Sequence, residues 1–192
     1  MTLWDRILTH PFVVAAADGS LPDEAFSRWL VEDHHFVVGF RRFLARLVEI
    51  APDETSRDVL ASGLAPLQGE LDIFRTEAGR RGLDLAVEPN PTTLGFTSFL
   101  LAAPADGWPT ALTVLYGTEK AYFDAWSVVR RQAETSSPYW SFIDNWSSPA
   151  FGAWVDQIGE LVDVVGRDEL AFDRVVRFEL RFWDAVHRGE DW

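Results

Sequence analysis

Apolar residues recur at helical spacing along three stretches of the chain, and in each stretch a carboxylate occupies a position where that spacing calls for a leucine. Between Leu112 and Trp126, the residues Leu112, Leu115, Tyr116, Glu119, Tyr122, Phe123 and Trp126 fall on one face. This is the i, i+3, i+4, i+7 pattern of an inward-facing amphipathic helix. From Phe26 to Val48 the stripe is Phe26, Trp29, Leu30, Phe36, Val37, Phe40, Phe43, Leu44 and Leu47, with Asp33 among them. From Phe172 to Val186 it is Phe172, Val175, Val176, Phe182, Trp183 and Val186, with Glu179 among them. A single such acid is explained by a bond to the backbone or to a neighbour such as Tyr122. Three on helices that must pack together predict one aromatic-walled cavity lined by all three, because an unpaired buried charge costs several kcal/mol or shifts its pKa instead.

The rest of the pattern predicts eight to ten helices with short connections. A first helix covers Trp4 to Ala17, kinked or restarted at Pro11. Gly19 ends it, Ser20 is a candidate cap, Pro22 suits the first turn of the next helix, and that helix runs to about Ala51. Pro52-Asp53-Glu54 opens a helix to Leu64 or beyond, which Pro66 divides from Gln68 to Gly79, with Gly82 as the stop. The loop Glu88 to Thr93 offers Thr92 or Thr93 as cap for a helix carrying Phe96 to Ala103. Asp106 to Thr110 turns into the Glu119 helix, which extends to Glu134. Ser136-Ser137-Pro138 starts a helix holding Tyr139 to Trp146, Ser147-Ser148-Pro149 caps one through Val165, and Gly166-Arg167-Asp168 precedes the last. No stretch shows sustained alternation between hairpin turns. The fold class is all-α, with 1–192 read as a single helical domain.

Composition narrows the function. The net charge of −13 and pI near 4.6 oppose nucleic-acid and anionic-membrane partners. Without cysteine the chain has no disulfide, no thiolate metal ligand and no cysteine nucleophile. No basic flank precedes an apolar run of a signal peptide's length, and no segment reaches the roughly 18 apolar residues of a membrane span. A cytoplasmic location is therefore the expectation.

Asp33, Glu119 and Glu179 crowded together would push at least one pKa upward and leave an acid beside a carboxylate, an arrangement suited to general acid–base work. His34 and His35 are neighbours, so at most one can face inward, and Asp184 with His187 does not complete a ligand set; no metal is expected. Phosphate-binding and dinucleotide glycine patterns are absent, as is the strand-to-helix elbow of a serine hydrolase.

Several segments in order resemble the TenA/thiaminase II family: HPFVVAAADGSLPDEAFSRWLVEDHHFVVGFRRFLA, TLGFTSFLLAA, SPYWSFIDNWSSPAFGAWV and FELRFWDAV. The resemblance implies a heme-oxygenase-like multi-helix bundle that needs no heme or other cofactor. It implies that Asp33 binds the aminopyrimidine edge of a substrate and that Glu179, in an E-x-x-F-W pattern, is an acid/base. The family's better-known branch carries a nucleophilic cysteine where Glu119 falls here. Glu119-Lys120-Ala121-Tyr122 is similar to the E-x-x-Y signature of the cysteine-less branch, which pairs Glu119 with Glu179. Phe36, Phe96 and Trp146 stand where the cysteine branch has pocket tyrosines, and Phe74 where relatives often have histidine.

The reading implied is a hydrolase that cleaves the C–N bond of an aminomethyl- or formylaminomethyl-pyrimidine from thiamin breakdown. Asp33, Phe36, Phe96, Tyr122 and Trp146 bind the pyrimidine, and Glu119 and Glu179 share water activation and leaving-group protonation. Relatives imply a homodimer or homotetramer. The alternatives are a non-catalytic small-molecule binder or regulatory protein, and an iron-dependent oxygenase on the same fold.

Overall fold

Local signals start and stop most of the helices. In the computed structural model, which describes residues 1–192, a capping box joins Thr2 and Asp5 at the start of α1 (Leu3–Leu8). His10 then accepts from the Phe12 amide at 3.2 Å, and Pro11 occupies the first position of α2 (Pro11–Asp18). The proline thus restarts a helix rather than bending one. Gly19, in the left-handed region at φ 78°, ends α2. Ser20 does not cap the next helix: α3 (Asp23–Ile50) begins after Pro22 with no side-chain cap, its first turn carrying Asp23 and Glu24 instead.

Asp53 caps α4 (Glu54–Ser62) through the Ser56 amide at 2.8 Å. The break before α5 (Leu64–Arg81) falls at Gly63, not at Pro66. Pro66 is accommodated in the first turn of α5, where its missing N–H would have had no helical partner in any case. Asn90, rather than Thr92 or Thr93, caps α6 (Pro91–Ala102), accepting from the Thr93 amide at 2.8 Å. A short 3-10 turn, Ala103–Asp106, leads into α7 (Trp108–Gln132). The serines at 136 and 137 lie in a turn ahead of α8 (Trp140–Trp146), which has no side-chain cap. Ser148 caps α9 (Pro149–Val165) and Asp168 caps α10 (Glu169–Arg188).

The long helix α3 packs on α5 and α6 along one side and on α10 along another, while α7 packs on α9, α10 and α2. Buried apolar side chains from all ten helices form one contiguous cluster. Its centre is aromatic: Trp29, Trp126 and Trp183 are fully buried, with Trp29 lying 5.3 Å from Trp126 and 5.1 Å from Phe142 between ring centroids. No helix is long and apolar enough to cross a membrane.

Gly63 shows how tightly the α4–α5 corner meets α9. Its φ of −76° suits any residue, so the glycine is not there for backbone freedom. A Cβ at this position would lie 2.2 Å from Cζ2 of Trp154, whose indole is held by a 2.9 Å bond from Nε1 to the Val59 carbonyl. We expect Gly63→Ala to destabilise the fold by about 1–3 kcal/mol through overpacking, read as a lowered melting temperature. An unchanged melting temperature would show that Trp154 yields freely.

Candidate active site

Asp33 on α3, Glu119 on α7 and Glu179 on α10 all point inward, with exposures of 0%, 8% and 0%. Tyr122, one turn beyond Glu119, donates its hydroxyl hydrogen to Asp33 Oδ1 and accepts from Trp29 Nε1 at 3.3 Å. The Trp183 ring stacks on Tyr122 with centroids 5.5 Å apart, fixing the phenol from behind. Asp33 Oδ2 and both oxygens of Glu179 have no hydrogen-bond partner within the protein.

Two adjoining cavities meet at Glu119. The inner chamber, about 20 Å³, is walled by Phe36, Tyr122 and Trp146, with Asp33, Glu119 and the Thr118 hydroxyl among its polar groups. The outer cavity, about 420 Å³, is bounded by Phe151, Trp154, Asn145, Ser148 and Gln157, and its rim at Ser62, Pro66 and Gln157 is exposed to solvent. Leu67, Glu70 and Glu119 line both, so these three form the neck between vestibule and chamber. Neither wall carries a lysine, arginine or histidine.

Burial without a cation raises every carboxyl here. Asp33 is pushed well above the usual range by desolvation, with the Tyr122 hydrogen bond opposing and the field of Glu70 adding to it. Glu119 rises through desolvation and then through the charges of Glu70, Glu179 and Asp33. Glu179 rises through desolvation and the charge of Asp33. Glu70 is raised to about 7 by desolvation, which the Asn145 amide, donating at 3.1 Å, and the Trp146 indole partly offset. Such a cluster sheds its protons in coupled steps, because each charge formed raises the proton affinity of its neighbours.

Glu70 is the site residue that the apolar pattern predicts but that a helix divided at Pro66 conceals. With the helix continuous from Leu64, its buried stripe reads Leu67, Glu70, Leu71, Phe74 and Ala78, another acid in a leucine's place. Of the aromatic residues assigned to the pocket, Phe36, Tyr122 and Trp146 line the chamber. Phe96 stands a layer back, 4.9 Å from Phe36 between centroids and stacked on Phe178. Glu179 lies behind the chamber wall rather than on it. Phe74 is core, against Trp29, Phe142 and Trp146. His34 and His35 face each other edge-on, His10 meets Asp184 at 3.4 Å, and no three histidine, aspartate or glutamate side chains converge as a metal site.

An all-helical bundle enclosing a small, acid-lined, aromatic chamber behind a larger vestibule has the architecture of the heme-oxygenase-like fold. A domain with a heme oxygenase-like fold from Shewanella denitrificans superposes with a TM-score of 0.71 over 96% of this chain and 87% of that one, at 17% identity. Residues 1–189 match the TENA/THI-4/PQQC family, and the chain belongs to it. A TenA homologue from Pyrococcus furiosus is 33% identical, with a TM-score of 0.89, covering 96% of this chain and 94% of that one. A protein named aminopyrimidine aminohydrolase, from Halalkalibacterium halodurans, is 25% identical over 99% of this chain and 92% of its own length.

The raised acids set a sign for stability against pH. Each binds its proton more tightly in the folded than in the unfolded chain, so the folded state loses stability as pH rises through that interval. For Glu70 the interval runs from 4.5 to about 7, a contribution of about 3 kcal/mol. Chemical denaturation between about pH 5 and 8 should show stability falling, and Glu70→Gln should flatten part of that fall. A Glu70→Gln profile parallel to wild type would contradict the assignment.

Proposed function

We propose that this chain hydrolyses the exocyclic C–N bond of an aminomethyl- or formylaminomethyl-pyrimidine arising from thiamin breakdown, returning the hydroxymethyl-pyrimidine for salvage. The observation that carries this reading is the closed chamber in which Asp33 lies deepest, aromatic walls flank it and Glu119 stands at the opening. Family membership and the aminopyrimidine aminohydrolase among the relatives support it.

In this reading the ring enters with its amino edge toward Asp33. Asp33 has a free Oδ2 to meet the ring's amino edge, while Tyr122 holds Oδ1. Phe36 and Trp146 supply stacking faces, each worth roughly 0.5–1.5 kcal/mol beyond the area buried, and Phe96 braces Phe36 from behind. The chamber's volume of about 20 Å³ suits one water, so seating the ring requires its lining side chains to shift. The methylene carbon then sits at the neck. Water forms the new C–O bond there as the C–N bond breaks; one proton leaves the water and one joins the departing ammonia or formamide. Glu119 and Glu179 form the acid–base pair, Glu119 at the bond and Glu179 acting through it from the buried side. The chain works in the cytoplasm as a homodimer or homotetramer.

Turnover of both pyrimidines by wild type, Glu119→Gln and Glu179→Gln tests the pair. Each variant should lose roughly 10² to 10⁴ in kcat, and equal turnover in all three would end the assignment. Asp33→Asn should weaken binding of the hydroxymethyl product by roughly ten- to a hundredfold, measured by calorimetry. Product affinity within error of wild type would remove Asp33 from recognition.

A further inference from the structure

We propose that Glu70 is the leaving-group carboxyl: standing at the neck, it hydrogen-bonds the nitrogen substituent of the pyrimidine and delivers the proton on which that substituent departs. This rests on the hydrolase reading above and assigns to Glu70 the proton delivery that the family pattern would give to Glu179.

The geometry separates the two glutamates. Glu179 lines neither cavity, whereas Glu70 and Glu119 line both. Asp33 lines only the inner chamber. A ring held at Asp33 therefore directs its exocyclic methylene outward, and the nitrogen it carries reaches the neck between Glu70 on α5 and Glu119 on α7. Beyond lies the vestibule of about 420 Å³, with room for the N-formyl group or the departing ammonia. One Glu70 oxygen accepts from Asn145 at 3.1 Å, and the Trp146 indole is a second donor beside it, so the carboxyl is oriented at the neck.

Glu70 also has the chemistry and the access. The groups facing it are carboxyls, Asp33 from α3 and Glu119 from α7, and the neutral donors Asn145 and Trp146 from α8; no cation lies on the walls it shares with them. Its affinity for a proton is raised to about 7, close to the value at which a general acid is most effective at neutral pH. As the C–N bond breaks, the bonding electron pair goes to nitrogen and the Glu70 proton joins it. The incoming water loses a proton to Glu119 as its oxygen bonds to carbon. Glu70 is left as a carboxylate on the vestibule side and regains its proton from solvent, while Glu119 returns its own, so the pair is reset.

The test compares wild type, Glu70→Gln and Asn145→Ala. Ligands are the aminomethyl- and formylaminomethyl-pyrimidines and a 5-methyl analogue that has the ring but no leaving nitrogen. Wild-type activity should fall as pH rises past about 7; Glu70→Gln should lower kcat by roughly 10² to 10⁴, abolish that fall, and leave the affinity for the 5-methyl analogue within about twofold. Asn145→Ala removes a hydrogen bond that favours the Glu70 carboxylate, so its activity should persist to higher pH. Retained kcat in Glu70→Gln, an Asn145→Ala profile superimposed on wild type, or equal loss of affinity for the 5-methyl analogue and the substrates would overturn the proposal. If wild type turns over neither pyrimidine, the hydrolase reading fails and Glu70 is judged by binding alone. A preference of roughly tenfold or more for the aminomethyl ligand over the 5-methyl analogue, lost in Glu70→Gln, would keep Glu70 at the nitrogen; the same preference in both proteins would remove it.

Discussion

Four carboxyls are buried close together at the centre of the bundle, where each affects its neighbours' charge. Ionised together in such surroundings they would repel one another and lose hydration with no cation in return. The burial therefore favours the protonated form of each, and a protonated carboxyl is a donor where a carboxylate could only accept. Helices suit the task because each satisfies its own backbone and contributes only side chains to the chamber. The cost of leaving Glu179 without partners is carried by the surrounding aromatic shell, where Trp29, Trp126 and Trp183 each bury a large apolar surface.

That shell also gives the chamber its shape. Tyr122 belongs to both systems at once: its ring stacks on Trp183, and its hydroxyl holds Asp33 while Trp29 holds the hydroxyl. Asp33 is therefore anchored two residues deep in the core rather than on the surface, the kind of support that fixes a side chain's position. Asn145 does the corresponding work for Glu70, from a helix of only seven residues that carries Trp146 next to it.

The inward acids on α3, α7 and α10 were legible because each helix is long and its apolar period unbroken, so a misplaced acid stands out. Glu70 was hidden by a local rule applied too strictly: Pro66 breaks a helix interior but fits a first turn, and the true break lies at Gly63, whose role is to admit the Trp154 ring. Asn90, Thr92 and Thr93 all have capping side chains, and it is Pro91 in the first helical position that gives the cap to Asn90. Which inward residues share a wall could not be read from period alone. Phe36 and Phe96 both belong to buried faces, yet helix packing puts the first on the chamber and the second behind it.

The walls of both cavities hold carboxyls, amides and hydroxyls but no basic side chain. A phosphate ester would add about two negative charges to that setting at neutral pH, with nothing to neutralise them. Such a group would meet Asp33, Glu70 and Glu119 with no counter-charge between them, so the lining itself opposes the entry of a dianion.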